Sequence, residues 1–320
     1  MRYLINIASG EAISYTSLLL TEILRYDVRA EIDINESGQI ISYEETNLKC
    51  SKKPFNKREL KNDYDLTLVI GDRFKSVFQY APESGLKCFI QITTNSRIGR
   101  KVNSQALEVF DRVYTDLPIY SKQNIHIGHF FNDVVRKHSF EEQTPDLPVV
   151  GISISSKRNL NKITKLIREA SHKVDCIWSI YSNGIDIKKL QNLDKVEFTS
   201  NQLDQLKNSN ICIVDSELNS IASILLNCPQ ILISIKAGFL GLRKPETIII
   251  NELLDEDLLS TFSLNQVEDI IKEIQSILTD HEYCASMLTA YQGFKEKVGT
   301  GPVIRETARE IVDWIEKDEV

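Results

Sequence analysis

The sequence of 320 residues lacks the signatures of the commonest α/β enzymes. It holds no GxGxxG dinucleotide fingerprint, no GxxxxGK[ST] phosphate loop, no GxSxG elbow and no HExxH. These absences argue against a dehydrogenase, a P-loop NTPase, an α/β-hydrolase and a zinc peptidase. No apolar run reaches the ~18 residues of a membrane span, and the start, Met1-Arg2-Tyr3-Leu4, leads into a strand-like run without a signal-peptide pattern. Positive charge is short: 38 Lys and Arg face 45 Asp and Glu, a net charge of −7. That balance argues against a general nucleic-acid binder and against anionic-membrane binding through overall charge. Five scattered histidines do not make a His-rich metal site. The six cysteines, Cys50, Cys88, Cys176, Cys212, Cys228 and Cys284, form no CxxC pair and read as reduced thiols of a cytoplasmic protein. No bound cofactor or metal is expected.

What is there is ordinary globular material, 42% hydrophobic and 26% charged, in a length that suggests about two domains. Short apolar runs predict buried strands at Tyr3–Ala8, Leu66–Ile70, Lys87–Ile92, Arg112–Thr115, Val149–Ser153, Val174–Ile180, Ile211–Val214, Gln230–Ile235 and Thr247–Ile250. Helical patterns alternate with many of them, among them Ser14–Arg25, Asn159–Ala170, Leu218–Leu226 and Val267–Thr279. Such alternation means βαβ units and parallel sheets. The polar stretch "KHSFEEQTPDLP", residues 137–148, holds two prolines and reads as a linker. The expectation is therefore an α/β chain of two Rossmann-like domains, 1–140 and 146–320, with the final helix packing back on the first. Ligands of such sheets bind at the carboxyl ends of the strands, here in a cleft between the domains.

Four stretches carry candidate chemistry. "INIASGEA" runs from strand through Gly10 and Glu11 into a helix, and an ordinary βα loop explains it equally well. "NIHIGHFFND" places His129 after Gly128, as a base near neutral pH or a structural loop histidine. "NICIVDSELNSIASILLNCPQILI" puts Ser216 and Glu217 at a helix start, where capping by Asp215 or Ser216 and docking of a diphosphate use the same N–H groups. "IKAGFLGLRKPE" mixes glycines and apolar residues with Lys236, Arg243 and Lys244, which suits phosphate, a membrane surface or a mobile loop.

Taken in chain order, these stretches resemble lipid-A-disaccharide synthase, a membrane-associated GT-B glycosyltransferase family. Gly10-Glu11-Ala12 is similar to the start of its Gly-Glu-Ala-Ser-Gly-Asp turn, and "DYDLTLVIGDRF" to its second strand with the acid Asp72 after it. "VFDRVYTDLPIY" is similar to its Leu-Pro-Phe-Glu segment and "IGHFFND" to its Gly-His-Pro-Leu-x-Asp. "DSELNSIASILLNCPQILI" stands where the family has Ser-Gly-Thr-x-Thr-Leu-Glu, and "INELLDE", with Glu252, resembles Pro-Glu-Leu-Leu-Gln. The C-terminal "GTGPVIRETAREIVDWI" is similar to the family's last helices. The departures are Tyr15 and Tyr120 where the family has acids, Ser153-Ile154-Ser155-Ser156 for its phosphate loop with Lys157 and Arg158 beyond, and Ala222 for the ribose-binding glutamate.

The resemblance implies an inverting transfer of an acylated-glucosamine type of sugar from a UDP-sugar to a lipid or sugar acceptor. Glu11 or His129 would be the base. The donor would lie near Ser153, Lys157, Arg158, Ser216, Glu217 and Arg243, and the acceptor near Gly10, Glu11 and the 90–100 loop with Asn95. Peripheral contact with the inner membrane would run through residues 236–245. The lost acids also fit a relative that binds a nucleotide, lipid intermediate or protein partner without turnover.

Overall fold

The computed structural model describes residues 1–7, 12–36, 51–52, 64–71, 85–92, 106–118, 124–140, 145–153, 160–181, 190, 193–233, 254 and 259–318. The predicted strand at 247–250 and the sites at Gly10, Glu11, Asp72, Asn95, Lys157, Arg158, Arg243 and Glu252 lie outside these residues. The chain divides into two compact units, one of residues 1–133 with 298–320 and one of residues 134–297.

The first unit is built on a parallel sheet: β1 (Arg2–Ile7), β2 (Glu31–Glu36), β3 (Ser51–Lys52), β4 (Leu66–Gly71), β5 (Leu86–Gln91), β6 (Arg112–Thr115) and β7 (Ile125–His126). They stand in the order β3-β2-β1-β4-β5-β6-β7, every pair parallel. β4 is buried at every position, as a strand covered on both faces requires. Helix α1 (Ala12–Tyr26) connects β1 to β2, and α2 (Phe131–Lys137) carries the chain out of the unit at Asp133.

The second unit has β8 (Val149–Ser153), α3 (Leu160–Ala170), β9 (Ile177–Tyr181), β10 (Val196–Thr199), α4 (Gln202–Asn208), β11 (Ile211–Val214), α5 (Glu217–Leu225), β12 (Gln230–Ile233), β13 (Thr261–Phe262), α6 (Val267–Thr279) and α7 (His281–Val298). Its sheet order is β10-β9-β8-β11-β12-β13, again all parallel. α6 buries Val267, Ile270, Ile271, Ile274 and Ile277, the i, i+3, i+4, i+7 stripe of an amphipathic helix. In both sheets the strand order reverses between the first strand and its later neighbour, β1–β4 and β8–β11, and there the connections diverge to leave room at the strand ends.

The last helix, α8 (Val303–Asp318), belongs to the first unit and packs along α1. Three features of residues 128–133 hold it. The buried Asp133 carboxylate accepts the backbone N–H of Ile304 at 2.9 Å, serving a first-turn donor that has no partner inside the helix. Asn132 Nδ2 donates to the carbonyl of Gly299 at 2.6 Å. Gly128 has φ +88, and a Cβ there would come within 2.9 Å of the Val298 carbonyl oxygen.

Asp133→Ala is expected to lower stability by about 1–3 kcal/mol, because it strips an acceptor from a buried donor. Gly128→Ala is expected to cost at least as much, through strain and the backbone clash. Urea unfolding of both variants checks this, and wild-type midpoints would mean that the 128–133 segment does not hold α8.

Candidate functional site

At the carboxyl ends of β8 and β11, polar side chains close into a connected seam. Ser153, the last residue of β8, is fully buried, and its Oγ accepts from Gln202 Nε2 at 2.6 Å. The same amide nitrogen donates to Asn219 Oδ1 at 2.7 Å. Asn219 Nδ2 in turn donates to the Ser153 carbonyl at 3.2 Å. One turn along α4, the buried Gln205 uses its Nε2 to reach the carbonyls of Ile152 and Ser179 at 3.0 and 2.6 Å. Side-chain amides thus bond the backbone carbonyls of Ile152, Ser153 and Ser179.

The seam leads to the start of α5. Ser216 is its N-cap, with the Oγ accepting from Asn219 N at 3.2 Å. Glu217 is its first residue. Nine residues of helix aim their dipole and free N–H groups at this point, which favours an anion. On the other face of the sheet, Ile152, Ile213, Val214 and Ile233 of β8, β11 and β12 close with Ile163 and Leu166 of α3 and Leu264 around a void of about 10 Å³, with Asp215 at its edge.

α4 is tied down as well. Asn201 caps it through the N–H groups of Leu203 and Asp204. His138, just past α2, bonds Asp204 Oδ1 through Nε2 at 2.8 Å.

Of the residues read from the sequence, the structure brings Ser153, Ser216 and Glu217 to one strand edge. Gln202, Gln205 and Asn219 were missed by the sequence reading. Each looks like a polar residue of an ordinary helix turn, and its partners lie 17 to 66 residues away.

In the first unit His129 is fully buried. Its Nδ1 accepts from Phe131 N at 3.3 Å, which leaves the proton on Nε2. Asp116 Oδ2 lies 3.7 Å from Nε2, beyond hydrogen-bond reach. The ring packs in a cluster with Phe130 and Phe131, at centroid distances of 5.0 and 5.5 Å, and those two rings lie 4.9 Å from each other. Tyr15 is buried and meets Phe130 edge-on at 5.7 Å. The side chain that stands where the resembled family carries an acid is thus part of an aromatic core, and burial pushes its phenol well above the ordinary range. Ala222 is buried in α5.

Among the described residues no group of three His, Cys, Asp or Glu side chains could hold a metal ion. No described helix is long and apolar enough to cross a membrane. Cys88, Cys176, Cys212 and Cys228 are buried free thiols.

No protein-family model and no curated protein sequence matches the chain. Solved structures do. A putative UDP-N-acetylglucosamine 2-epimerase from Listeria monocytogenes gives a TM-score of 0.69 at 12% identity, over 98% of this chain and 97% of its own. The UDP-GlcNAc 2-epimerase of Methanocaldococcus jannaschii, solved with UDP-GlcNAc and UDP, gives 0.64 at 16% identity over 98% and 99%. MurG of Acinetobacter baumannii gives 0.63 at 8% identity over 99% and 100%. Likeness at such identities is a likeness of fold: two Rossmann-like units in the GT-B manner.

Burial pushes His129 down to about 3 in the folded protein, against about 6.5 in the unfolded chain. Between those values the unfolded state binds the extra proton, so stability falls as pH falls through this window and is indifferent to the ring above it. His129→Gln should flatten the acid limb of the stability curve below pH 6.5, by up to about 1.4 kcal/mol per pH unit. Urea midpoints of both proteins at pH 8, 6 and 5 measure it. Parallel limbs would mean that the ring takes up its proton in the folded state.

Proposed function

We propose that the chain binds a uridine-diphosphate sugar on its C-terminal unit and acts as a glycosyltransferase. The carrying observation is the seam of Ser153, Gln202 and Asn219 beside the Ser216-capped start of α5. It stands at the reversal of strand order, where doubly wound sheets take nucleotides. The structural neighbours support the ligand class, since one of them was solved with UDP-GlcNAc and UDP.

In the proposed reaction the acceptor hydroxyl attacks the anomeric carbon from the face opposite the leaving group. The new C–O bond forms as the bond to the diphosphate oxygen breaks, with inversion. The hydroxyl proton goes to a base on the N-terminal unit, near Gly10 and Asn95. Of the two candidates read from the sequence, Glu11 is the proposed base, because the buried His129 ring has no open surface from which to reach a hydroxyl. The N–H groups at the start of α5, with Lys157, Arg158 and Arg243, would take the charge that develops on the departing UDP. Asp72 and Glu252 are proposed sugar or nucleotide contacts on the resemblance alone. The resemblance to lipid-A-disaccharide synthase supports an acylated-glucosamine donor, a lipid or sugar acceptor, and a cytoplasmic protein touching the inner membrane through residues 236–245.

A second reading, a UDP-sugar binder without turnover, is favoured by one observation. Tyr15, in the place of the family's acid, is locked in the aromatic core and offers no carboxylate.

Calorimetry with UDP, followed by NMR of UDP-GlcNAc with and without acceptor, tests both. UDP is expected to bind, and Ser216→Ala and Asn219→Ala to weaken it about 10- to 150-fold, the range of a hydrogen bond to a charged group. Transfer or UDP release supports the transferase, and binding with an unchanged sugar supports the second reading. No binding of UDP at millimolar concentration would sink both.

A further inference from the structure

We propose that Gln202 is a specificity-determining residue: its side chain offers one fixed hydrogen-bond acceptor, which selects a nucleoside that brings an N–H or O–H to that point. The inference rests on the reading of the C-terminal unit as a sugar-nucleotide site, and it narrows which part of the ligand that edge can recognise.

Hydrogen-bond chemistry sets the direction of the seam. The carbonyl oxygen of Ser153 can only accept, so the Asn219 atom facing it is the amide nitrogen. The other terminal atom of Asn219 is then its carbonyl oxygen, which also can only accept. The Gln202 atom facing that oxygen is therefore the amide nitrogen. Both hydrogens of this nitrogen are used, one toward Asn219 Oδ1 and one toward Ser153 Oγ. Gln202 Oε1 remains. It has no hydrogen-bond partner among the described residues, and Gln202 is half-buried rather than enclosed.

An amide on a surface turns over freely and presents donor or acceptor as needed. Here a flip would set oxygen against oxygen at Asn219, so the outward group is locked as an acceptor. Phosphate oxygens, being acceptors themselves, are disfavoured beside Oε1 and favoured at the free N–H groups of α5. A nucleoside brings two kinds of donor to this point, the ribose hydroxyls and a base imide. Uracil carries a donor at N3, where cytosine carries an acceptor.

The test is a titration of the full-length protein with UDP, CDP, 2′-deoxy-UDP and 3′-deoxy-UDP, in wild type and in Gln202→Met and Gln202→Glu. Methionine keeps the length and removes the acceptor. Glutamate keeps an acceptor. Wild type is expected to favour UDP over one of the other nucleotides by about five- to tenfold, the effect of one hydrogen bond. Loss of preference over CDP in Gln202→Met assigns the base imide, and loss of preference over a deoxynucleotide assigns a ribose hydroxyl. Gln202→Glu keeps an acceptor but turns an oxygen toward Asn219 Oδ1, so it is expected to lower every affinity and to retain the sign of the preference that Gln202→Met abolishes. Where far-UV circular dichroism shows Gln202→Met unfolded, Gln202→Lys, which puts a donor in place of the acceptor, gives the same readout. Ratios unchanged on removing the acceptor, or no discrimination in wild type, overturn the proposal while leaving UDP binding intact. Absence of any nucleotide binding overturns the sugar-nucleotide reading, and this proposal falls with it.

Discussion

The first unit depends on one buried carboxylate. Asp133 reaches the N–H of Ile304 and so fixes where α8 begins, 171 residues further along the chain. Everything that α8 does follows from that starting point. Its apolar face runs along α1, Arg305 reaches the Tyr26 hydroxyl at 3.2 Å, and Arg112 lies over the Trp314 ring at 4.4 Å. Without α8, α1 would lose the helix that packs along it and keep its contacts with β1 and β4. A helix held at its first turn by a buried acceptor and along its length by apolar packing needs both terms. The acceptor sets the register, and the packing supplies the larger share of the energy.

The second unit shows a different use of polarity. Its core strands β8, β11 and β12 are buried throughout, yet their exit edge is closed by amides rather than by aliphatic side chains. Gly151 lets α4 come this close, since a Cβ there would meet Ser209 Oγ at 2.5 Å. The tight approach lets Gln205 reach the carbonyls of Ile152 in β8 and Ser179 in β9 and places Gln202 beside Asn219. The two units thus share a sheet topology and differ at its working edge. One carries an aromatic cluster that includes a neutral histidine, the other a hydrogen-bonded seam.

Much of this fold was legible in the sequence. β4, β8, β11 and β12 are runs of branched apolar residues that only a doubly covered parallel strand explains. β2 was not read, because EIDINE alternates acid with isoleucine and looks as much like a solvated turn as a strand. Its pairing with β1 overrides that local signal. At the site, a helix cap at Asp215 or Ser216 was readable from the sequence, and the structure assigns it to Ser216. Gln202 and Gln205 were not, since nothing local marks a glutamine whose partners are strand ends 49 and 53 residues away. His129 stood out by its chemistry, and only burial reveals that its ring is held neutral.

The first unit is assembled from both ends of the chain, with the whole second unit between them. During synthesis, residues 134–297 leave the ribosome before residues 303–318 do. The second unit therefore has its full set of strands while α1 still lacks the helix that covers it. Folding in the order of translation makes the inserted unit the earlier one to finish, and the N-terminal unit waits for residues 303–318. The exposed face of α1 in that interval is the surface a chaperone would find on the nascent chain.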